Sequence, residues 1–373
     1  MGVRKSPSVT SEVHVTTGAP AASHTRAGRL DYLDGVRGIA SVLVLIHHTL
    51  ESQSEAYGAW SHQFLDLGRV GIVAFFLVSG YVVGLTLSKQ TPRVFAVRRF
   101  WRLYPIYWIA TTLWIVVWIA TGHTIEWDLG LIAIVSNIAM IQGFIGMFSI
   151  LGVAWTLGIE IAFYAQQVAS RLLRFFERSS WLGFGWLAAF GALGLSNWLR
   201  GSAYSAVVPL MMFTASLGFA WYRWGAARDR SVFVLAGSGL VLVPLFSIAL
   251  GTRAGEPGVW PASGFITSYF VGIALFAAFA AIRSLPLPRW LLWLGAVSYS
   301  LYLTHTTVIE LVGATPLWRS GWMVATVSVA VCALVVAGLL HRYVERPFTN
   351  LGRRLTTTKV VASTPSQGAT PSR

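Results

Sequence analysis

The chain has 373 residues, of which 55% are hydrophobic and only 11% charged, with a mean hydropathy of +0.63. Soluble domains carry roughly 25% charged residues, so this composition excludes a water-soluble fold, and long apolar runs without period-two alternation exclude a β-barrel. The formal charge of +14 fits basic loops against an anionic lipid surface rather than a nucleic-acid partner.

Residues 1–28 are polar, contain Arg4, Lys5, Pro7 and Pro20, and lack the apolar core of a signal peptide; they read as a disordered tail. Apolar segments follow at 36–50, 70–88, 103–121, 129–147, 150–170, 181–199, 203–221, 231–250, 264–282, 290–312 and 322–340. A spanning helix needs about 20 residues. Most segments reach that length, the first only by extending a little beyond its apolar core. Residues 351–373, closing on TTTKVVASTPSQGATPSR, read as a second disordered tail. One membrane domain over 29–350 remains. Cys332 lies in an apolar run, so no disulfide framework is present.

Charge decides the topology. With the first tail cytoplasmic, the 51–69 loop carrying Glu51, Glu55 and Asp66 lies outside, and the 89–102 loop carrying Arg93, Arg98, Arg99 and Arg102 lies inside. If 129–147 spans, Arg171, Arg174 and Arg178 fall outside and every later basic loop is inverted. If it is re-entrant or peripheral, only Arg69, Arg200, Arg253 and Arg319 remain in outer loops. The segment also contains Asn137, Gln142 and Gly143, which suit backbone lining a cavity. The expected fold is therefore an all-α, polytopic helical bundle in the lipid bilayer. It has about ten transmembrane helices, one re-entrant or peripheral segment and both termini cytoplasmic.

Ionisable groups inside a membrane are costly and mark a functional path or an internal pair. Arg37 and His48 stand eleven residues apart in DGVRGIASVLVLIHH. At 3.6 residues per turn they share a helix face, about 16 Å apart along the axis. A long anionic ligand with its reactive end inward would span that gap. Equally, Arg37 would snorkel to headgroups and His48 would bond a neighbouring helix. His47 is turned away. Arg99 and Arg102 in RRFWRLYP share a face and suit phosphate, although such clusters commonly only set topology. Glu160, the sole acid of its segment, requires a partner such as Arg or His. Ser298, Tyr302 and His305 fall on one stripe, with Tyr302 able to bind substrate or orient the imidazole; Glu310 lies some 140° round from His305.

No phosphate-binding loop, no H-E-x-x-H and no G-x-S-x-G occurs, and the histidines are too scattered for a metal assignment. What remains is His with Arg and a buried acid, which suits general-base transfer on an anionic donor. A secondary transporter with Glu160, His48 and His305 as a proton relay is the alternative. A scaffold leaves these groups unexplained.

Five blocks in order, LDYLDGVRGIASVLVLIHH, VGIVAFFLVSGYVVG, VRRFWRLYPIYW, AWTLGIEIAFY and VSYSLYLTHTTVIE, with VERPF closing the core, resemble the acyltransferase 3 family of membrane acyltransferases. Arg37 and His48 match the family's Arg-x10-His hallmark, and Arg99 and Arg102 match its R-x-x-R motif. Its serine-leucine-serine-valine-glutamate stretch is similar to Thr156, Leu157, Gly158, Ile159 and Glu160, with glycine in place of the second serine. The resemblance implies transfer of an acyl group, often acetyl from acetyl-CoA, to a hydroxyl of a carbohydrate, glycolipid or glycosylated metabolite in a bacterial inner membrane. Arg37, Arg99 and Arg102 would hold the phosphates of acyl-CoA, the donor substrate. His48 would act as base or acyl carrier. Glu160 and His305 would complete the catalytic set, while Tyr302 and Glu310 orient the acceptor. No metal and no bound cofactor is implied.

Overall fold

A computed structural model describes residues 28–124, 130–200, 205–251 and 261–357. Most of each expected tail lies outside the described residues. The described residues form helices without a strand. In chain order these are α1 (Gly28–Gln53), α2 (Glu55–Gln63), α3 (Leu67–Leu87), α4 (Pro92–Ala120), α5 (Leu131–Ile138), α6 (Trp155–Leu172), α7 (Leu182–Arg200), α8 (Val207–Ala227), α9 (Ser231–Gly251), α10 (Ala262–Ala281), α11 (Arg289–Gly313), α12 (Pro316–Arg319), α13 (Trp322–Leu340) and α14 (Arg346–Leu355).

Ten of these helices run for 18 residues or more. Seven candidate spans, built on α1, α3, α4, α7, α9, α10 and α13, are long and apolar enough to cross a membrane. The other three long helices, α6, α8 and α11, hold polar groups or run through the centre of the bundle. Helix α8 is buried from Pro209 to Ala220, and α11 buries Ser298, Ser300, Thr304, His305 and Thr307. A helix sheathed by other helices meets no lipid and need not be apolar all round. Helix α13 shows the peripheral pattern. Ala325, Val329, Ala333 and Ala337 face inward at four-residue spacing, whereas Met323, Val327, Val331 and Val335 are exposed.

Small residues bring the central helices together. A Cβ at Gly80 of α3 would fall on the carbonyl of Ala215 in α8, and one at Gly218 of α8 on the carbonyl of Leu77 in α3. Backbones that close are a membrane-helix device, because packing rather than hydrophobic exclusion drives association there. Side-chain contacts tie the two ends of the bundle. At the basic end, Arg98 Nε donates to Thr356 Oγ1 at 2.8 Å and Trp101 stacks on Phe348 at 5.8 Å. At the opposite end, Ser263 Oγ donates to the Gln63 carbonyl at 2.8 Å.

The described part of segment 129–147, expected not to span, begins at Gly130 and holds the eight-residue α5 and a 3-10 turn at Gln142–Phe144. Eight residues of helix cover about 12 Å, too little to cross. The segment dips against α4, where non-helical carbonyls need donors. Tyr104 and Tyr107 hydroxyls and the Trp108 indole N–H, all from one face of α4, donate to the carbonyls of Ala139, Asn137 and Ile138. The Asn137 amide closes the turn: Nδ2 donates to Ala133 and Phe148 carbonyls, and Oδ1 accepts from Ile150 N–H, each at 2.9 Å. Asn137→Ala strands the Ile150 amide and the Phe148 carbonyl, at about 1–3 kcal/mol for each group. Its unfolding midpoint in detergent is expected to fall clearly below that of the parent; an unchanged midpoint refutes this role.

Candidate active site

Helices α1, α3, α4, α6 and α11 enclose a cavity of about 110 Å³. Its walls are apolar along α3, with Ile72, Phe75, Phe76, Val78 and Val82. Its polar lining comprises Arg37, Ser79, Arg99, Arg102, Thr156, Glu160, Tyr164, Ser298, Tyr299 and Tyr302. Three guanidiniums thus face one carboxylate. Among the described residues neither Arg99 nor Arg102 has an ion-pair partner within 4 Å, and Arg37 has only the loose Asp34 contact at 3.9 Å.

Arg99 is braced rather than neutralised. Its guanidinium lies 5.0 Å from the Tyr164 ring and 5.1 Å from the Phe95 ring, and Nη2 donates to Thr86 Oγ1 at 3.3 Å. Cation–π contacts hold a planar cation without consuming its charge. The expected Arg or His partner of Glu160 is replaced by two hydroxyl donors. Ser79 Oγ donates to Oε1 at 3.0 Å, and the Tyr164 hydroxyl donates to the same oxygen. Tyr164 stands four residues after Glu160, so that pair was readable from helical spacing. Ser79 comes from another helix and carried no such signal.

His48 and His305 do not line this cavity. They stack on each other beyond it, with ring centroids 5.2 Å apart and planes 24° apart. His305 Nδ1 lies 2.7 Å from the Tyr302 carbonyl, an acceptor, which assigns the proton to Nδ1 and a lone pair to the buried Nε2. That Nε2 has no hydrogen-bond partner. Tyr302 closes the cavity toward the histidines. Its hydroxyl meets Thr156 Oγ1 at 2.7 Å and the Val153 carbonyl at 3.1 Å, and its ring packs against Phe75 and His305.

His48 lies near the end of α1 and is one-third exposed, with Nδ1 3.5 Å from Glu51 Oε2. His47 turns the other way, buried against Asp66 at 3.3 Å, with Nδ1 3.4 Å from the Tyr57 hydroxyl. Burial first, then Asp66 and Glu51, push the Tyr57 phenol up to about 12, so it stays a neutral hydroxyl. Glu310 is not brought to either group. It pairs with His123 Nε2 at 2.9 Å, because its place on α11 turns it away from His305 toward the α4 terminus.

Glu345, in VERPF, joins the polar network unanticipated. It sits in a π-helical turn, His341–Glu345, an irregularity common at functional sites. Ser300 Oγ donates to its Oε2 at 2.8 Å and His341 Nδ1 lies 3.0 Å from the same oxygen.

Comparison with known proteins gives this geometry a family. The acyltransferase domain model of the acyltransferase 3 family matches residues 30–342. The chain is 28% identical over 312 residues to the exopolysaccharide production protein ExoZ of Rhizobium meliloti (strain 1021), covering 78% of this chain and 92% of that protein. It is 24% identical over 367 residues to the O-acetyltransferase OatA of Staphylococcus aureus (strain NCTC 8325 / PS 47), covering 86% of this chain and 57% of OatA. No solved structure matches. With the matched span running through the arginine cavity and both stacked histidines, this chain belongs to the acyltransferase 3 family and is a multi-pass membrane acyltransferase.

Proposed function

We propose that the chain moves an acyl group, acetyl in the first instance, from acyl-CoA to a hydroxyl of a carbohydrate or glycosylated acceptor. One observation carries the reading: three arginines converge on a cavity that ends at Tyr302, one helical turn from His305 of the histidine pair. Drug-sized sites run to roughly 300–1,000 Å³, so about 110 Å³ takes only a small charged part of the donor, a phosphate and the chain next to it, with the nucleotide base left at the mouth. The relatives support the acceptor class, since ExoZ is named for exopolysaccharide production and OatA as an O-acetyltransferase. Family membership lends nothing to the transporter reading.

In this mechanism Arg37, Arg99 and Arg102 bind the donor phosphates, and Glu160 positions Tyr164 against Arg99. Movement of Tyr302 admits the thioester to the histidines. His48, with Glu51 at its Nδ1, takes the acceptor hydroxyl proton on Nε2 as that oxygen attacks the thioester carbon. The C–S bond breaks, and the CoA thiolate receives the proton from the imidazolium. His305 Nε2 supplies the neighbouring lone pair that accepts a hydrogen bond from the acceptor. Purified protein in liposomes tests this with labelled acetyl-CoA and a glycan acceptor. Label in an alkali-labile ester on the glycan is expected; donor and glycan both unchanged sink the reading.

We place the basic end in the cytoplasm of a bacterial inner membrane, with ten spans and both termini inside. Reporter fusions are expected to find both tails and the 171–178 segment cytoplasmic and the 51–66 loop outside. An external 171–178 segment overturns the ten-span arrangement.

A further inference from the structure

Histidines distant in sequence meet at the end of the bundle opposite the arginines. Three imidazoles surround the carboxylate of Glu51. His47 Nε2 and His48 Nδ1 each lie 3.5 Å from Oε2, and His62 Nε2 lies 3.0 Å from Oε1. The ligand-capable atoms of His47, His48 and Glu51 all fall within 4.8 Å of one another. A tetrahedral ion with bonds of about 2.0–2.1 Å holds its ligand atoms roughly 3.3–3.4 Å apart, so small side-chain adjustments would close the set.

The geometry points to a zinc-class divalent ion bound by His47, His48 and Glu51, acting as a brake on acyl transfer. Two imidazole nitrogens and one carboxylate oxygen favour zinc over magnesium or calcium, which prefer all-oxygen shells. Three protein ligands leave a fourth position for water. The supporting contacts have the form metal sites use. His47 Nδ1 faces the Tyr57 hydroxyl at 3.4 Å, so Nε2 is the nitrogen turned to the carboxylates, 3.3 Å from Asp66 Oδ1 and 3.5 Å from Glu51 Oε2, and an ion would take it from Asp66; His62 holds the outer oxygen of Glu51. Access is asymmetric: the His47 side chain is 4% exposed, while those of His48, Glu51 and His62 are each about one-third exposed. An ion can enter from solvent and settle on a buried nitrogen.

The brake follows from imidazole chemistry and rests on the general-base role proposed for His48. A metal on Nδ1 displaces the proton there. Neutral imidazole carries one ring proton, which must then sit on Nε2. The nitrogen that would receive the acceptor proton becomes an N–H donor, and no base remains. No bond to substrate forms or breaks; removing the ion restores the original tautomer.

Binding is measured first, on tag-free protein in detergent, by titrating zinc chloride against a chromophoric chelator, with cobalt(II) as a spectroscopic stand-in. One ion per chain is expected, with the visible bands of a tetrahedral cobalt site. His47→Ala and Glu51→Gln are each expected to lose at least 100-fold in zinc affinity. Tyr57→Phe, which leaves the ligands and the fold in place, is expected to lose up to about tenfold. Absence of stoichiometric binding, or parental affinity in His47→Ala and Glu51→Gln, overturns the site. In the liposome assay, zinc at saturation is expected to stop transfer and a chelator to restore it, while His47→Ala keeps its own zinc-free rate in zinc. Zinc bound without loss of transfer overturns the brake. A protein that transfers nothing under any condition sinks the acyltransfer reading instead, and the titration still decides the metal site.

Discussion

His48→Ala is expected to reduce acyl transfer by about 10²–10⁴-fold, the usual loss on removing a general base, with the protein still folded and inserted. His48 is one-third exposed, so truncation leaves no large cavity in the core. Its ring rests on His305, which keeps that neighbour in place by backbone bonding through Nδ1 rather than through His48. His47→Ala removes a buried ring that faces Asp66 and Tyr57; it is expected to cost some stability and far less turnover. Turnover per correctly inserted molecule separates the two. A His48→Ala protein at the parental rate, beside an inactive His47→Ala, would reverse the assignment.

Arg99→Ala or Arg102→Ala is expected to raise the KM for acetyl-CoA by roughly 10- to 100-fold, if KM tracks binding. A donor lacking the nucleotide, such as acetyl-pantetheine, should barely respond. Charge-assisted contacts shielded from water contribute about 1.5–3 kcal/mol each, and a donor without phosphates never made them. The two positions differ in a second respect. Arg99 is wedged between the Phe95 and Tyr164 rings, so Arg99→Ala also loosens packing. Arg99→Lys keeps the charge but forfeits the planar stacking, and its KM should fall between those of the parent and the alanine variant. Equal losses with both donors would count against a phosphate-binding role.

Much of this arrangement was legible because membrane helices advertise themselves. Long apolar runs announced the bundle, and the placement of arginines singled out 129–147, whose described residues hold one short α-helix. Helical spacing put Arg99 with Arg102, and Ser298 with Tyr302, on walls that the fold turns toward one cavity. The remainder depends on contacts between helices, to which periodicity within one helix is blind. Nothing in FFLVSGYVVG announces that Ser79 donates to Glu160 across to α6. The 62 and 51 positions meet only because α2 folds back over the end of α1. Glu310 shows the converse: an acid near a functional histidine in sequence, it is carried around α11 to His123. Glu345 lay within a quoted motif, but its burial depends on the π-turn and on Ser300.

The bolt formed by Tyr302 has an electrical consequence. In the proposed reaction a charged donor arrives at one face and a sugar at the other, and a continuous wet pore between them would drain a proton gradient. Here Tyr302 is pinned by Thr156 and the Val153 carbonyl and flanked by Phe75, so the cavity on the arginine side ends against one aromatic ring. Both hydrogen bonds of its hydroxyl go to α6 and the turn before it, Thr156 and Val153, which fix the ring across the end of the cavity. If the donor passes as proposed, substrate traffic and insulation of the membrane fall to the same side chain, a burden beyond orienting an acceptor.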